Sequence, residues 1–219
     1  WKLDARRATL VWSEAAVDVP PEFYATVEAR LVSGAATDIS FGLAIRPPDV
    51  AGLRLFLLSL TDGAAVRHGI GESAETVHDW IPAAAIRPDD WNQLALKATA
   101  SDVSFYVNGQ QVIELAKDAV PPGRLSIVVW ARRPGHYVAE FDDFEVRVAP
   151  GSAIPPATAP TSTAAVVSPP AVPMPAAWGK VLPVMPHTSP PNWPIVFWDE
   201  FVDNGNGWVT AEQFNRQIE

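Results

Sequence analysis

A chain of 219 residues, 48% apolar, carries 16 basic against 25 acidic side chains and a net charge of −9. Its pI is near 4.9, which excludes the clustered Lys/Arg of a nucleic-acid surface. It has no cysteine, hence no disulfide framework, thiol catalysis or Cys-ligated zinc, and no apolar run near the roughly 18–20 residues of a membrane span. It shows no signal-peptide pattern and opens on Trp1 instead of Met, which reads as a chain processed or cut from something longer.

The first elements are strands. Phe23–Leu31 alternates, with Phe23, Ala25, Val27, Ala29 and Leu31 on one face and Tyr24, Thr26, Glu28 and Arg30 on the other, the period-2 mark of a half-buried strand. Asp38–Arg46 repeats the pattern through Ile39, Phe41, Leu43 and Ile45. Leu53–Leu60 is apolar on both faces, as a central strand covered on both sides would be. Trp91–Ala98 and Asp102–Val107 lead to Asn108-Gly109, a strong hairpin signal because both turn positions need positive φ. Gln111–Leu115 returns from that turn, followed by Arg124–Ala131 and Tyr137–Val148. Ten or so short strands without a convincing helix predict an all-β fold, a two-sheet antiparallel sandwich or jelly roll.

Thirteen of the 22 prolines fall in residues 150–194, where Lys180 is the one charged side chain. Such a stretch cannot donate a backbone ladder, and is expected as a Pro/Ala/Thr-rich extended linker. Its Thr158, Thr161, Ser162, Thr163 and Ser168 are O-glycan acceptors by composition. The chain thus divides into a body at 1–149, a linker at 150–194 and a tail at 195–219.

Several motifs of the body occur in a telling order: Trp91-Asn92, Phe105-Tyr-Val-Asn-Gly109, Pro122-Gly-Arg-Leu125 and Phe141-Asp-Asp-Phe-Glu-Val146. Together they resemble the concanavalin-A-like jelly rolls, in particular the laminin-G/pentraxin-like and 3-keto-disaccharide-hydrolase-type modules of secreted bacterial proteins. The resemblance implies two packed antiparallel sheets of six or seven strands and an extracellular or cell-surface location. Such domains commonly open on an acidic-aromatic element, which the body lacks. The tail carries one, Phe197-Trp-Asp-Glu-Phe-Val-Asp-Asn-Gly-Asn-Gly-Trp208. We therefore expect the tail to complete a jelly roll whose body lacks its first strand, with Phe197, Trp198, Phe201, Trp208, Val209, Phe214, Ile218, Trp1 and Leu3 forming the joint. Completion in cis would be a circular permutation. Completion in trans would add strands to the next copy, giving an open head-to-tail filament or surface layer. A tandem array cut out of phase would read the same way. The expected function is accordingly a non-enzymatic extracellular structural protein whose partners are copies of itself, with a carbohydrate-binding module as the alternative and a family-16-like glucanase behind it.

Several constellations bear on chemistry. Asn204-Gly-Asn-Gly-Trp-Val-Thr-Ala-Glu-Gln213 resembles a calcium loop, but Val202 and Gln213 stand where its carboxylates belong, so it reads as a turn. Glu140-Phe-Asp-Asp-Phe-Glu145 fits the Glu-x-Asp-x-x-Glu pattern of family-16 retaining glucanases, in which a bulged strand turns its carboxylates to one face. Here the motif sits in the last body strand, where the plain expectation is phenylalanines in the core and acids in water. The pair Asp142-Asp143 is of the kind that holds a structural calcium in some laminin-G-like domains; no other cofactor is expected. For a glycan, the aromatic residues Trp12, Trp80, Trp130, Tyr106 and Tyr137 offer ring faces, and Trp130 with Arg132, His136 and Tyr137 is the leading group, expected on a loop. His68, His78, His136 and His187 have no ligand spacing, and no nucleophile elbow occurs.

Overall fold

A computed structural model describes residues 2–5, 9–47, 52–69, 74–120, 122–152, 193–201 and 209–214. Most of the Pro-rich stretch, Trp1, Trp208, Ile218, His187, the hydroxyl-bearing linker residues and residues 204–208 of the calcium-like loop lie outside these.

Two seven-stranded antiparallel sheets pack face to face. The first runs β1 (Lys2–Ala5), β12 (Tyr137–Val148), β3 (Phe23–Ser33), β8 (Asn92–Ala98), β9 (Asp102–Val107) and β10 (Gln110–Ala116), with β13 (Ile195–Asp199) also on β12. The second runs β14 (Val209–Phe214), β2 (Thr9–Val19), β11 (Gly123–Ala131), β4 (Ile39–Arg46), β5 (Leu53–Ser59), β6 (Gly63–Gly69) and β7 (Glu75–Ile81). Helical structure among the described residues is confined to single 3-10 turns at Ala36–Asp38 and Lys117–Ala119.

Alternation builds the core. Inward residues of β3, β8, β9 and β12 meet those of β4, β5 and β11 in one apolar cluster. Phe41 meets Phe141 edge-on at 6.5 Å, and Phe56 meets Phe105 at 5.8 Å, so each pair joins the two sheets as offset aromatic contacts do. β5 is apolar on both sides because it is covered on both: Phe56 and Leu58 enter the core, while Leu53, Leu55 and Leu57 join Leu10, Trp12, Ala44 and Val128 in a second cluster on the outer face.

Three strands carry little sequence signal. β6 is rich in Ala and bounded by Gly63 and Gly69, and β7 is a largely uncovered edge strand without clean alternation. β2 runs Trp12-Ser-Glu-Ala-Ala16 through its centre. In each, pairing with neighbours overrides weak local propensity.

The tail, expected as one strand segment, makes two strands on two sheets of its own chain. β13 pairs the C-terminal half of β12, Phe144 to Arg147, while β1 pairs the N-terminal half, Tyr137 to Glu140, along the same edge. β14 lies on β2, from Val209 opposite Glu14 to Phe214 opposite Thr9. Leu3, Phe197 and Phe201 pack on the core. The Phe197 and Phe201 rings stand edge-on to Phe144 at 5.8 and 6.5 Å. Trp198 points the other way, opposite Glu145 on the outer face, and is 53% exposed.

The Asn108-Gly109 turn has φ of 49° and 81°, as a two-residue hairpin requires. The Asn108 side chain also accepts from the Gln93 N–H at 2.9 Å and donates to the Ala85 carbonyl at 2.6 Å and to Asn92 Oδ1 at 2.9 Å. Asn108→Ala should cost about 2–3 kcal/mol, from left-handed strain and lost part-buried bonds. Asn108→Gly, free of the strain, should cost about 1 kcal/mol less in the same urea titration.

Candidate functional site

The site begins with an irregularity in β12. Asp142 pairs Glu28 and Glu145 pairs Thr26, so Asp143 and Phe144 together oppose one residue of β3, a bulge. Asp143 sits at φ 51°, a left-handed conformation that Asp tolerates better than most residues, and its N–H donates to Asp142 Oδ1 at 3.1 Å. The extra residue resets the phase. Phe141, Phe144 and Val146 all turn inward, while Glu140, Asp142, Glu145 and Arg147 are part-exposed on the outer face.

Register carries that face across the sheet, since directly paired residues point to the same side. Trp198 of β13 lies opposite Glu145, which lies opposite Thr26. In the next row Asp142 lies opposite Glu28, and Glu28 opposite Gln93 of β8. Trp198, Glu145, Thr26, Glu28 and Gln93, with Asp143, Arg147 and Val27, surround a pocket of about 420 Å³, within the range of small-ligand sites. Arg147 Nε donates to Glu145 Oε1 at 2.5 Å and Nη2 to Oε2 at 3.3 Å. The hydrogen bond to Glu145 holds the Arg147 pKa above its ordinary value, and Nη1 reaches the Trp193 carbonyl at 3.5 Å. The pocket thus offers carboxylate acceptors, guanidinium, amide and hydroxyl donors, and one exposed indole face.

The Glu-x-Asp-x-x-Glu residues do share the outer face of a bulged strand. They do not share the pocket: Glu145 lines it, whereas Glu140 and Asp142 do not. Glu140 Oε2 accepts from Arg30 Nε at 2.7 Å and Nη2 at 2.5 Å, with Lys2 Nζ at 3.6 Å from Oε1. Both Glu145 oxygens are bonded to Arg147. Asp143, beside Asp142, lines the pocket. Among the described residues no group of three or more His, Asp or Glu is placed to hold a metal.

The four residues read as a glycan group are spread over both sheets. Trp130 is in β11, not on a loop, and packs on the outer cluster of the second sheet beside Trp12 and Trp80. Arg132 is committed to structure, donating to Asp62 Oδ2 at 2.8 Å and to the Thr37 carbonyl at 2.6 Å, with its guanidinium 5.6 Å from the Trp80 ring. His136 is exposed on the loop before β12. Tyr137 is 4% exposed in the core, its ring against Gly34, where a Cβ would lie 2.4 Å from Cδ1. Its face is therefore not offered to a ligand. Sequence reading missed the pocket residues Thr26, Glu28, Gln93, Glu145 and Arg147 as a set, because only strand order brings them together. The Glu-x-Asp-x-x-Glu spacing was the one pointer to that place.

No protein-family model matches this sequence, and neither does any curated protein. Among solved structures, the carbohydrate-binding module CBM66 from Bacillus subtilis is similar with a TM-score of 0.50 at 14% identity, over 63% of this chain and 81% of that one. The catalytic domain of an endo-1,3-beta-glucanase (laminarinase) from Thermotoga petrophila RKU-1 gives 0.39 at 15% identity, over 64% and 76%. Sheep galectin-11 in complex with glycerol gives 0.40 at 9% identity, over 64% and 96%. At such identities the likeness is one of fold, a two-sheet antiparallel jelly-roll sandwich, and no comparison narrows it to the 3-keto-disaccharide-hydrolase type.

The Arg132–Asp62 pair gives a pH test. The hydrogen bond from Arg132 holds the Asp62 carboxyl below its ordinary pKa. Ionised Asp62 therefore stabilises the fold above the unfolded value of about 3.9, and that contribution is lost as pH falls through the lower folded value. Asp62→Asn should reduce stability at neutral pH and flatten the fall on the acid side, read from urea midpoints between about pH 7 and 2.

Proposed function

We propose that this protein is a non-enzymatic carbohydrate-binding module, with the outer face of the first sheet as its glycan site. The observation that carries the reading is the pocket lined by Thr26, Glu28, Gln93, Asp143, Glu145 and Arg147, together with the half-exposed Trp198 indole. A sugar ring needs a flat apolar surface for its C–H face and a ring of donors and acceptors for its hydroxyls. An exposed indole supplies the first, at low entropic cost. The charged and amide groups supply the second. The fold-level likeness to a Bacillus subtilis carbohydrate-binding module supports the reading. Three carboxylates against one guanidinium favour neutral sugars over uronic or sialic acids, through like-charge repulsion. An extracellular or cell-surface location accords with a polysaccharide ligand.

This reading stands ahead of the head-to-tail filament. The tail lies on its own body, so the exposed edge of β12 is already paired. Two segments of one chain meet at an effective concentration on the order of a millimolar, and a second copy's tail competes only when the protein itself nears that concentration.

On an array of neutral and acidic oligosaccharides, the protein should bind neutral glycans. Trp198→Ala should lower that binding about tenfold or more, with little change in thermal stability because the side chain lies half in solvent. Absence of binding to every glycan, or full binding by Trp198→Ala, would refute the assignment. Incubation with laminarin tests the enzymatic alternative, and no more reducing ends are expected than from a Glu140→Gln variant.

A further inference from the structure

The glycan site is not made by the body alone. Trp198 belongs to the tail, and the rest of the pocket belongs to β3, β8 and β12 of the body. Tail and body are separate in sequence, joined through residues 153–192. β14 of the tail lies on β2 of the second sheet, while the segment 193–201 meets the first sheet on its inner side, along its edge and on its outer side. On the inner side Phe197 and Phe201 set their rings against Phe144. In the plane of the sheet β13 pairs Phe144 to Arg147, extended by the Val148 N–H donating to the Pro194 carbonyl at 3.2 Å. On the outer side Trp198 stands beside Glu145, and Arg147 reaches back to the Trp193 carbonyl. Asp199 closes the strand, its buried Oδ1 accepting the Phe201 N–H at 2.7 Å.

We infer that docking of the segment 193–201 on β12 and glycan binding are coupled: the sugar, held between Trp198 and the body carboxylates, clamps the tail, and undocking of the tail dismantles the site. The inference rests on the glycan reading above. Its physical basis is linkage. A ligand that touches both pieces binds the docked state better than the undocked one, so each event favours the other by the same factor. A neutral glycan at about 100 times its dissociation constant should raise the docking equilibrium about 100-fold. The device places the switch in a segment whose apolar anchors on the core are Val196, Phe197 and Phe201, apart from the core pairs Phe41–Phe141 and Phe56–Phe105.

The test uses the full chain and hydrogen exchange, with the array above and laminarihexaose as the soluble neutral probe. Phe197→Ala and Phe201→Ala lie on the core side, away from the pocket. Either should speed exchange of the Ile195–Asp199 amides about 10-fold or more while the Leu94–Leu96 and Ile127–Val129 amides stay protected, and should lower array binding by the fraction of chains left undocked. Trp198→Ala should lower array binding with the tail amides still protected. Should a phenylalanine variant lose body protection as well, site-specific cleavage of the wild-type chain within 153–192 replaces it. The cleaved tail should then be shed on dilution, and retained at about 100-fold lower protein concentration under saturating glycan. Array binding unchanged while the tail amides exchange freely, or tail retention indifferent to saturating glycan, overturns the coupling alone. No binding by the intact wild-type chain, with the tail amides protected, overturns the glycan reading and the coupling with it.

Discussion

The bulge at Asp142–Phe144 is the constraint from which the rest follows. A regular β12 would carry one alternation from Tyr137 to Val148, and Phe141 and Phe144 would then point to opposite faces. With the extra residue, both rings enter the core and the acids on either side both face out. The same irregularity divides the outer edge of the strand in two. Its first half is long enough for β1, which pairs as far as Glu140, and its second half, from Phe144 onward, takes β13. One local insertion thus fixes where the body ends its own pairing, where the tail begins its own, and which carboxylates stand beside Trp198.

The energetics of the tail follow from what it buries. Phe197 and Phe201 close the sandwich over Phe144, and burial of a phenylalanine is worth roughly 1.5–3 kcal/mol. Against this stands the ordering of the segment, about 1–2 kcal/mol per residue of backbone, offset in part by the β13 ladder and by the Asp199 cap. For nine residues that cost exceeds the two phenylalanine contributions, so the segment is held only with the help of the ladder and the cap. A docking strand in such balance is held by covalent connection to its body, and a ligand spanning the seam can shift it appreciably. A core strand such as β4, covered by sheet neighbours on both edges and buried along nearly its whole length, cannot respond in this way.

Much of the sandwich was legible because burial on one face writes itself as alternation. β3, β4, β8, β9, β11 and β12 show it plainly, and the hairpin at Asn108-Gly109 follows from backbone sterics. β6 and β7 were not legible, since an Ala/Gly-rich strand and an exposed edge strand are specified by their neighbours. The site was legible only in fragments. The tail's aromatics read as one core-filling set, yet alternation within Ile195–Asp199 sends Phe197 inward and Trp198 outward, and a sequence alone does not tell which of two adjacent aromatics the core will take. Trp130 read as a loop aromatic beside basic residues. In the strand Gly123–Ala131 it is the outward residue between Val129 and Ala131, over a sheet face that is itself apolar.

The two outer faces differ in what they would offer a sugar. On the second sheet the outward apolar residues Leu10, Trp12, Ala44, Leu53, Leu55, Leu57 and Val128 are all buried, Glu14 is taken up by Arg46 at 2.5 Å and by the Trp12 indole N–H, and the cations Arg67 and Arg132 lie over Trp80 at 5.9 and 5.6 Å. Hydroxyls placed there would meet few acceptors, and leaving them unpaired costs about 1–3 kcal/mol each. On the first sheet the outward rows carry Glu28, Gln93, Glu145 and Arg147 around a concavity, with a single indole at the edge. That composition answers a polyol on its hydroxyl rim and its apolar face together. Because the indole lies on β13, which pairs the edge of β12 left by β1, the pocket and the completion of that sheet share one surface.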